Sequence, residues 1–262
     1  MKKFDFLKSL GAVAMGLFIT TNFGIAQNRN PGVLPPVSTP QGHSYGEWSA
    51  QWWQWALGIP GDEEHPLLDT TGEFCHVGQT GSVWFLGGTF GGGPPIERSC
   101  TVPVGKMLFF PIINSVWITT CVGEPRTKDG IRPMIAPFID NAMGLAVMVD
   151  GEDLQDLGQY RAESPLFCTP LALYGVYDAE DLEMFPCLEG SDPNCSELPN
   201  PEEHFGTFEG FGPAMSDGYW IMLAPLSVGE HTLHFSASSM PPLVSSDVTY
   251  HLTVVPNGPK AR

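Results

Sequence analysis

The sequence predicts a mainly β fold: an antiparallel β-sandwich, jelly-roll or immunoglobulin-like, with one Trp-rich N-terminal helix packed on it. Short apolar segments alternate with turn-forming Gly/Pro clusters over most of the chain, which contains 30 glycines and 25 prolines. Two late segments, 231–235 and 248–254, alternate apolar and polar residues as half-buried antiparallel strands do. We therefore expect one β-sandwich domain over residues 44–256, followed by a tail at 257–262.

The N-terminus has the pattern of a secretory signal peptide. Lys2, Lys3 and Lys8 precede an apolar run over 10–25, and small residues stand at the positions that a signal peptidase recognises. An uncleaved membrane anchor is the less favoured alternative, because polar residues interrupt a run that is already short for a bilayer. The prediction is a signal peptide over 1–26 and a secreted or periplasmic protein with no transmembrane segment in its mature part.

A Pro-rich lead-in at 27–43 is followed by the one long helical pattern, which ends at Gly58. Ser44 and Glu47 match the S-x-x-E capping box, in which each side chain accepts a hydrogen bond from a free N–H group at the helix start. Gly58 stands shortly before Pro60, where a left-handed glycine cap is expected. The sequence therefore marks both ends of this helix.

Four of the seven tryptophans lie in this helix. Trp48, Trp52 and Trp55 share one face at i, i+4 and i+7 spacing, opposite a narrow polar strip that contains Gln51. We expect the wide aromatic face to be buried against the sheet. Trp53 lies off the main stripe and is the member of the group with most freedom to contact a ligand.

The next segments predict strands joined by turns. Residues 82–90 and 97–102 are predicted to form a hairpin, with a Gly/Pro turn between them. The apolar run 106–113 predicts a core strand, in which Pro111 implies an edge position or a bulge. A short helix is expected to begin near Pro133, with a cap from an acidic residue before it.

The second half of the chain predicts a hairpin, a long insert and a return to strands. Residues 145–149 end in Asp150-Gly151, a strong signal for a two-residue hairpin turn. An acidic, proline-bearing insert occupies about 171–211, and a loop of this length is usually functional or mobile. A strand is expected to follow at 219–223.

Six cysteines in an exported chain predict three disulfides, and the absence of C-x-x-C spacing argues against a thioredoxin-like redox site or a Cys-rich zinc site. Sequence alone leaves many pairings open. Spacing favours Cys75 with Cys100, Cys187 with Cys195, and therefore Cys121 with Cys168.

The formal net charge of −17 argues against negatively charged partners. A field of this sign repels phosphate backbones, so no nucleic-acid partner is expected. The simplest interpretation of the acidity is solubility outside the cell, with cation binding as the alternative.

Several motifs together resemble an uncharacterised family of secreted bacterial proteins, and the similarity spans most of the mature chain. The resemblance implies a bacterial exported protein and carries no known activity or catalytic residues. The insert is longer than is usual for that group. The motifs that carry the resemblance are W-S-A-Q-W-W-Q-W at 48–55, V-P-V-G-K-M-L-F-F-P at 102–111, D-G-Y-W at 217–220 and G-E-H-T-L-H-F at 229–235.

Aromatic side chains provide the first candidate site. Trp53, Trp117 and Trp220 could stack on the C–H faces of sugar rings, which would make the protein a carbohydrate-binding sandwich. Core packing is the alternative for each of them. The predicted partner is an unknown extracellular or envelope ligand, with carbohydrate as the suggested class.

Two groups could bind a metal: a loop in the insert that suits calcium, which is the one suggested cofactor, and a histidine pair that suits zinc or copper. Oxygen-bearing side chains in the insert have the spacing of a loose calcium loop, although prolines and a missing glycine exclude a true EF-hand. The alternative is a solvated acidic loop. A cross-strand register that places His234 opposite His251 would supply two imidazole ligands, which are too few without a carboxylate. The insert residues are Asp192, Asn194, Ser196 and Glu203.

No residues form a recognisable catalytic set. The G-x-S-x-G motif around Ser44 lacks the preceding strand of a nucleophile elbow, so Ser44 is better explained as a helix cap. The sequence therefore favours a non-enzymatic exported protein with a ligand-binding or structural role. The alternative is a secreted hydrolase acting on polysaccharide or ester, with acids from Asp69, Glu73 or Asp217.

Overall fold

The computed structural model describes residue 30 and residues 32–60, 64–89, 93–119, 123–170, 210–240 and 244–256, in which strands predominate over helices. The predicted signal peptide lies outside these ranges. The helices are α1 (Tyr45–Gly58) and α2 (Lys128–Asp140). The strands are β1 (Val83–Phe85), β2 (Ile96–Pro103), β3 (Met107–Ile118), β4 (Met143–Val149), β5 (Glu152–Asp153), β6 (Arg161–Glu163), β7 (Phe167–Pro170), β8 (Gly210–Leu223), β9 (Gly229–Ser239) and β10 (Val244–Val255).

The strands form two five-stranded sheets. The first has the order β1-β3-β8-β6, with β7 also paired to β8, and the second has the order β2-β10-β9-β4-β5. Most neighbours are antiparallel, as predicted, but β1 runs parallel to β3 and β2 runs parallel to β10. The sheets are therefore mixed.

The predicted hairpin between 82–90 and 97–102 is wrong. β1 belongs to the first sheet and β2 to the second, so the chain crosses between sheets at this point. The buried guanidinium of Arg98 in β2 holds the start of the connecting segment. It donates hydrogen bonds to the carbonyls of Gly87 and Gly88 at 2.8 and 3.0 Å and to the hydroxyl of Tyr250 at 2.9 Å.

The capping box at the start of α1 is confirmed, and the prediction for its end is wrong. The N–H of Ser44 donates to Glu47 Oε2 at 2.7 Å, and the N–H of Glu47 donates back to Ser44 Oγ. The N–H and the hydroxyl of Ser44 both donate to the carboxylate of Glu47, and these two bonds hold the pKa of Glu47 below its usual value. At the other end, the cap residue is Ile59 in an extended conformation, which the following Pro60 favours. Gly58 is the last helical residue and not a left-handed cap.

The protein has three layers: α1, the first sheet and the second sheet. The first sheet lies in the middle. On one face of that sheet, Trp52 of α1 contacts Trp220 with ring centroids 5.5 Å apart, and Trp220 stacks on Phe109 at 5.2 Å. On the other face, Phe110 stacks on Phe235 of the second sheet at 4.9 Å. Because β3 lies between two packed layers, its first seven residues are all buried, as its continuous apolar sequence predicts.

Close packing also buries the polar strip of α1. Gln51 and Gln54 are 3% and 1% exposed, so the burial of α1 extends beyond the predicted aromatic face. Gln54 donates to the carbonyl of Cys168 at 2.9 Å. Gly46 allows this approach, because a Cβ at that position would lie 2.3 Å from the carbonyl oxygen of Glu163.

The remaining local predictions concern a hairpin, a bulge and the second helix. β4 and β5 form the predicted hairpin, with positive φ at both Asp150 and Gly151. β3 contains a bulge between Pro111 and Ile113. α2 begins at Lys128 with Thr127 as its cap, earlier than the predicted start near Pro133.

The predicted disulfide between Cys75 and Cys100 is confirmed, although the two residues do not bridge a hairpin. Cys168 is also disulfide-bonded. Cys121, Cys187 and Cys195 lie outside the described residues. Within the described ranges, no helix has the length and apolar composition needed to cross a membrane.

Candidate functional site

The candidate site is a pocket along the open edge of β3, which we call the β3 pocket. β1 pairs only with Met107–Phe109, so the edge of β3 beyond the bulge has no neighbouring strand among the described residues. The pocket has a volume of about 270 Å³. Its walls come from α1, β3, the end of α2, β10 and two loops: Trp52, Trp53, Leu67, Gly88, Thr89, Pro111, Ile112, Ile113, Asn114, Ser115, Val116, Phe138, Val244 and Ser246.

Three buried polar groups in these walls have no hydrogen-bond partner: the indole N–H of Trp53, the amide nitrogen of Asn114 and the hydroxyl of Ser246. Trp53 is 8% exposed and Ser246 is 9% exposed. A buried polar group without a partner costs about 1–3 kcal/mol, so native proteins rarely leave one unpaired. The walls of the pocket cover all three atoms, so a ligand would bond to them only after these side chains shift.

Trp53 differs from the other tryptophans of α1. The indole N–H groups of Trp48, Trp52 and Trp55 donate to backbone carbonyls at 3.0, 2.9 and 3.0 Å. Trp53 packs edge-on against Trp52 with ring centroids 5.1 Å apart, and its own N–H has no acceptor. The three bonded tryptophans therefore anchor the helix, whereas Trp53 borders the pocket.

The surrounding elements fix the positions of the polar groups. Asn114 is paired with Gly218 of β8, and a Cβ at Gly218 would lie 2.7 Å from Asn114 Cβ, so the glycine is required there. Arg98, which is 1% exposed, bonds the carbonyls of Leu67 and Gly88 at 3.2 and 3.0 Å. It thereby holds both wall loops against the second sheet.

The other two predicted ligand-contacting aromatics lie elsewhere. Trp220 is fully buried between Trp52 and Phe109, so its ring offers no surface to a ligand. Trp117 packs against a small apolar cluster that includes Ile131 of α2 and Met215 of β8. We call this group the α2 cluster. Of the three, only Trp53 lines the β3 pocket.

The predicted register of the two histidines is wrong. His234 is paired with Thr249, and His251 is paired with Thr232, so the rings are not directly opposite. Each approaches a different carboxylate: His234 lies 3.0 Å from Asp247, and His251 lies 3.4 Å from Glu97. No three His, Cys, Asp or Glu side chains gather as a metal site in the described ranges. Asp192, Asn194, Ser196 and Glu203 lie outside them.

Two of the acids suggested for a hydrolase have structural roles in different parts of the protein. Asp69 closes a turn by accepting from the N–H groups of Thr71 and Phe74. Burial alone would raise the pKa of Asp69, but these bonds outweigh it and hold that pKa below its usual value. Asp217 is fully buried and accepts from the guanidinium of Arg161 at 2.6 Å.

Glu73 lies in a second cleft, of about 510 Å³, beside the disulfide of Cys75. His76 and Trp84 also line it, and the indole N–H of Trp84 is buried without a partner. The cleft contains one carboxylate, whereas glycoside hydrolysis commonly requires two. Its single unpartnered group makes it a weaker candidate than the β3 pocket.

An Asp-His-Ser arrangement at the surface has the composition of a catalytic triad without its chemistry. His231 Nδ1 lies 2.7 Å from Asp150 Oδ2, and His231 Nε2 lies 2.9 Å from the carbonyl oxygen and 3.3 Å from Oγ of Ser227. The carbonyl can only accept, so Nε2 carries a proton and has no lone pair for the serine. The Asp150 hydrogen bond raises the pKa of His231, which favours the imidazolium.

The described residues form a mainly β protein with a small, partly polar cavity beside β3. No protein-family model, no curated protein and no solved structure matches the chain. Sequence reasoning identified Trp53 and missed Asn114 and Ser246. An asparagine within an otherwise apolar strand was the available signal for Asn114, and Ser246 had none.

Proposed function

We propose that this chain is an exported, non-enzymatic protein that binds a small molecule in the β3 pocket. The observation that carries the proposal is the set of three buried, unpartnered polar groups on Trp53, Asn114 and Ser246. The pocket walls cover these atoms, so a ligand oxygen would reach them through small shifts of the side chains and would then give the unpaired groups a partner. The volume of about 270 Å³ suits a compact ligand.

The chemistry of the walls supports binding over catalysis. Among the described residues that line the pocket, none is an acid, a base, a cysteine or a tyrosine. In this part of the chain, Ser246 is the only buried hydroxyl without a partner at the pocket, and no lining side chain could act as the general base that a serine nucleophile needs. The rival hydrolase would have to use the second cleft, where Glu73 is a single carboxylate.

We also propose a type for the β fold, a compartment for the protein and a family for the chain. Stacking of Phe110 on Phe235 across the two sheets supports a β-sandwich of jelly-roll or immunoglobulin-like type. The N-terminal pattern of residues 1–26 and the disulfide of Cys75 with Cys100 support export to the periplasm or the cell exterior. The motif resemblance supports membership of the uncharacterised secreted bacterial family.

The test uses the exported chain with ¹⁵N-labelled indole groups in all seven tryptophans. Neutral cyclic fragments are added while the indole N–H resonances are recorded. The Trp53 resonance, assigned by its loss in Trp53→Phe, should shift with each hit. Trp117→Phe is the matched control, because the N–H of Trp117 is also unpartnered but lies in the α2 cluster.

Fragment binding should survive in the control variant and weaken by about tenfold in Trp53→Phe, the loss of one hydrogen bond. Hits that leave the Trp53 resonance unchanged, or that bind Trp53→Phe with full affinity, would place ligand binding outside the β3 pocket. A screen with no hits at the Trp53 resonance would contradict the proposal.

A further inference from the structure

We propose that the ligand is a neutral, largely hydrocarbon molecule whose carbonyl-type oxygen accepts hydrogen bonds from Trp53 and Asn114. Cyclic ketones, lactones and compact esters have this chemistry. The inference rests on the proposed function and adds the class of ligand. It differs from the carbohydrate suggested by the aromatic residues alone.

The direction of the hydrogen bonds leads to a ligand acceptor. The indole N–H of Trp53 and the amide nitrogen of Asn114 are both buried and unpartnered, and both can only donate. The hydroxyl of Ser246 can donate as well. A carbonyl oxygen has two lone pairs and brings no proton that needs an acceptor of its own, so it can satisfy two of these donors at once.

The ligand is neutral because nothing in the pocket would balance a charge. Of the wall residues that the structure describes, none is Asp, Glu, Lys, Arg or His. An ion moved from water into this site would lose its hydration without gaining a partner. The net charge of −17 on the chain disfavours an anion further.

The body of the ligand is mostly hydrocarbon, because nine of the fourteen lining residues are apolar. Trp52, Leu67, Ile112 and Phe138 belong to this apolar part of the wall. A sugar ring carries several hydroxyls, and each one donates a proton that needs an acceptor. The described side chains that can accept are few, namely Thr89, Asn114, Ser115 and Ser246, and each sugar hydroxyl left without an acceptor would lose hydration without a gain.

The experiment compares four probes in one titration: α-tetralone, α-tetralol, tetralin and methyl β-glucoside. The first three share a bicyclic hydrocarbon body, and they carry a pure acceptor, a hydroxyl and no polar group. Affinity and the Trp53 indole N–H shift are measured for the unaltered protein, Trp53→Phe and the control Trp117→Phe. Asn114→Leu is a second variant, which keeps a side chain of similar size and removes the donor.

α-Tetralone should bind about tenfold more tightly than tetralin and move the Trp53 resonance, with α-tetralol between them. In Trp53→Phe or Asn114→Leu, the affinity for α-tetralone should fall toward that of tetralin, while tetralin itself changes little. Equal affinities for α-tetralone and tetralin would overturn the inference. Tighter binding of the glucoside at the Trp53 resonance would also overturn it and would leave the proposed binding function standing.

Discussion

Two neighbouring tryptophans in α1 allow a direct comparison of the stability contributed by an indole N–H that has an acceptor and one that has none. Trp52 and Trp53 are both buried, at 2% and 8% exposure, and pack against each other. The N–H of Trp52 donates to the carbonyl of Leu86 at 2.9 Å, whereas the N–H of Trp53 has no partner. Replacing each by phenylalanine removes the same atoms from the same helix. The difference between the two variants therefore reports on the hydrogen bond.

Trp52→Phe should destabilise the protein by about 2 kcal/mol more than Trp53→Phe. Loss of the Trp52 bond costs about 1 kcal/mol, and the carbonyl of Leu86 left without its donor adds about 1 kcal/mol. Trp53→Phe loses no bond and removes a buried donor that was already unsatisfied. Both variants also lose packing from the smaller ring, and this cost is similar for the two sites.

Urea unfolding at constant m measures the difference. For a slope of about 3 kcal/mol/M, 2 kcal/mol corresponds to a separation of about 0.7 M between the two midpoints. If Trp53→Phe is as destabilising as Trp52→Phe, the N–H of Trp53 has a partner in solution. That result would refute the argument that the pocket presents an unsatisfied donor.

Three further predictions concern stability outside the pocket. Cys75→Ser opens a loop of 25 residues and should cost about 3.5 kcal/mol in the unfolded-chain entropy account. Asp217→Asn removes the fully buried carboxylate that pairs with Arg161 and should lower the free energy of unfolding by roughly 3 kcal/mol. This value is at the low end for a broken buried ion pair, because the guanidinium is 29% exposed. His231→Gln should lower the free energy of unfolding by less than about 1 kcal/mol near pH 5 and have no effect near pH 9. The folded pKa of His231 lies above 6.5, so its ion pair with Asp150 stabilises below that value and is lost as pH rises through the folded pKa.

Each of these predictions has a result that would contradict it. Adding Cys100→Ser to Cys75→Ser should change the urea midpoint little, and a second large loss would argue that the serine variants act through packing. Asp217→Asn is measured beside Asp129→Asn, whose carboxylate is 93% exposed and should cost little. A pH-independent effect of His231→Gln would exclude the imidazolium as its cause.

Local predictions succeeded where short-range chemistry decides the structure. The capping box of Ser44 and Glu47 and the Asp150-Gly151 turn involve neighbours in sequence, and the structure confirms both. The bulge at Pro111 follows from the missing N–H of proline. The predicted hairpin after β1 was wrong because pairing with strands remote in sequence decides the sheet of each strand: β1 pairs with β3, and β2 pairs with β10.

The binding site was only partly predictable for the same reason. Trp53 stood apart on the helical wheel, but its unpaired N–H depends on which carbonyls the neighbouring segments bring to the other three tryptophans. Asn114 and Ser246 come from different sheets and meet at one pocket only because β1 ends early along β3. No spacing within the sequence encodes that meeting.

By itself, the sequence determined the predominance of strands, the start of the Trp-rich helix, the tight turn after β4 and one disulfide. These depend on periodicity, capping and cysteine spacing, which act over short stretches of chain. The tertiary structure decided which sheet each strand joins, which indole N–H groups have a partner and where the β3 pocket forms. Those features depend on long-range contacts, because a buried donor is satisfied or left free by atoms that are remote in sequence.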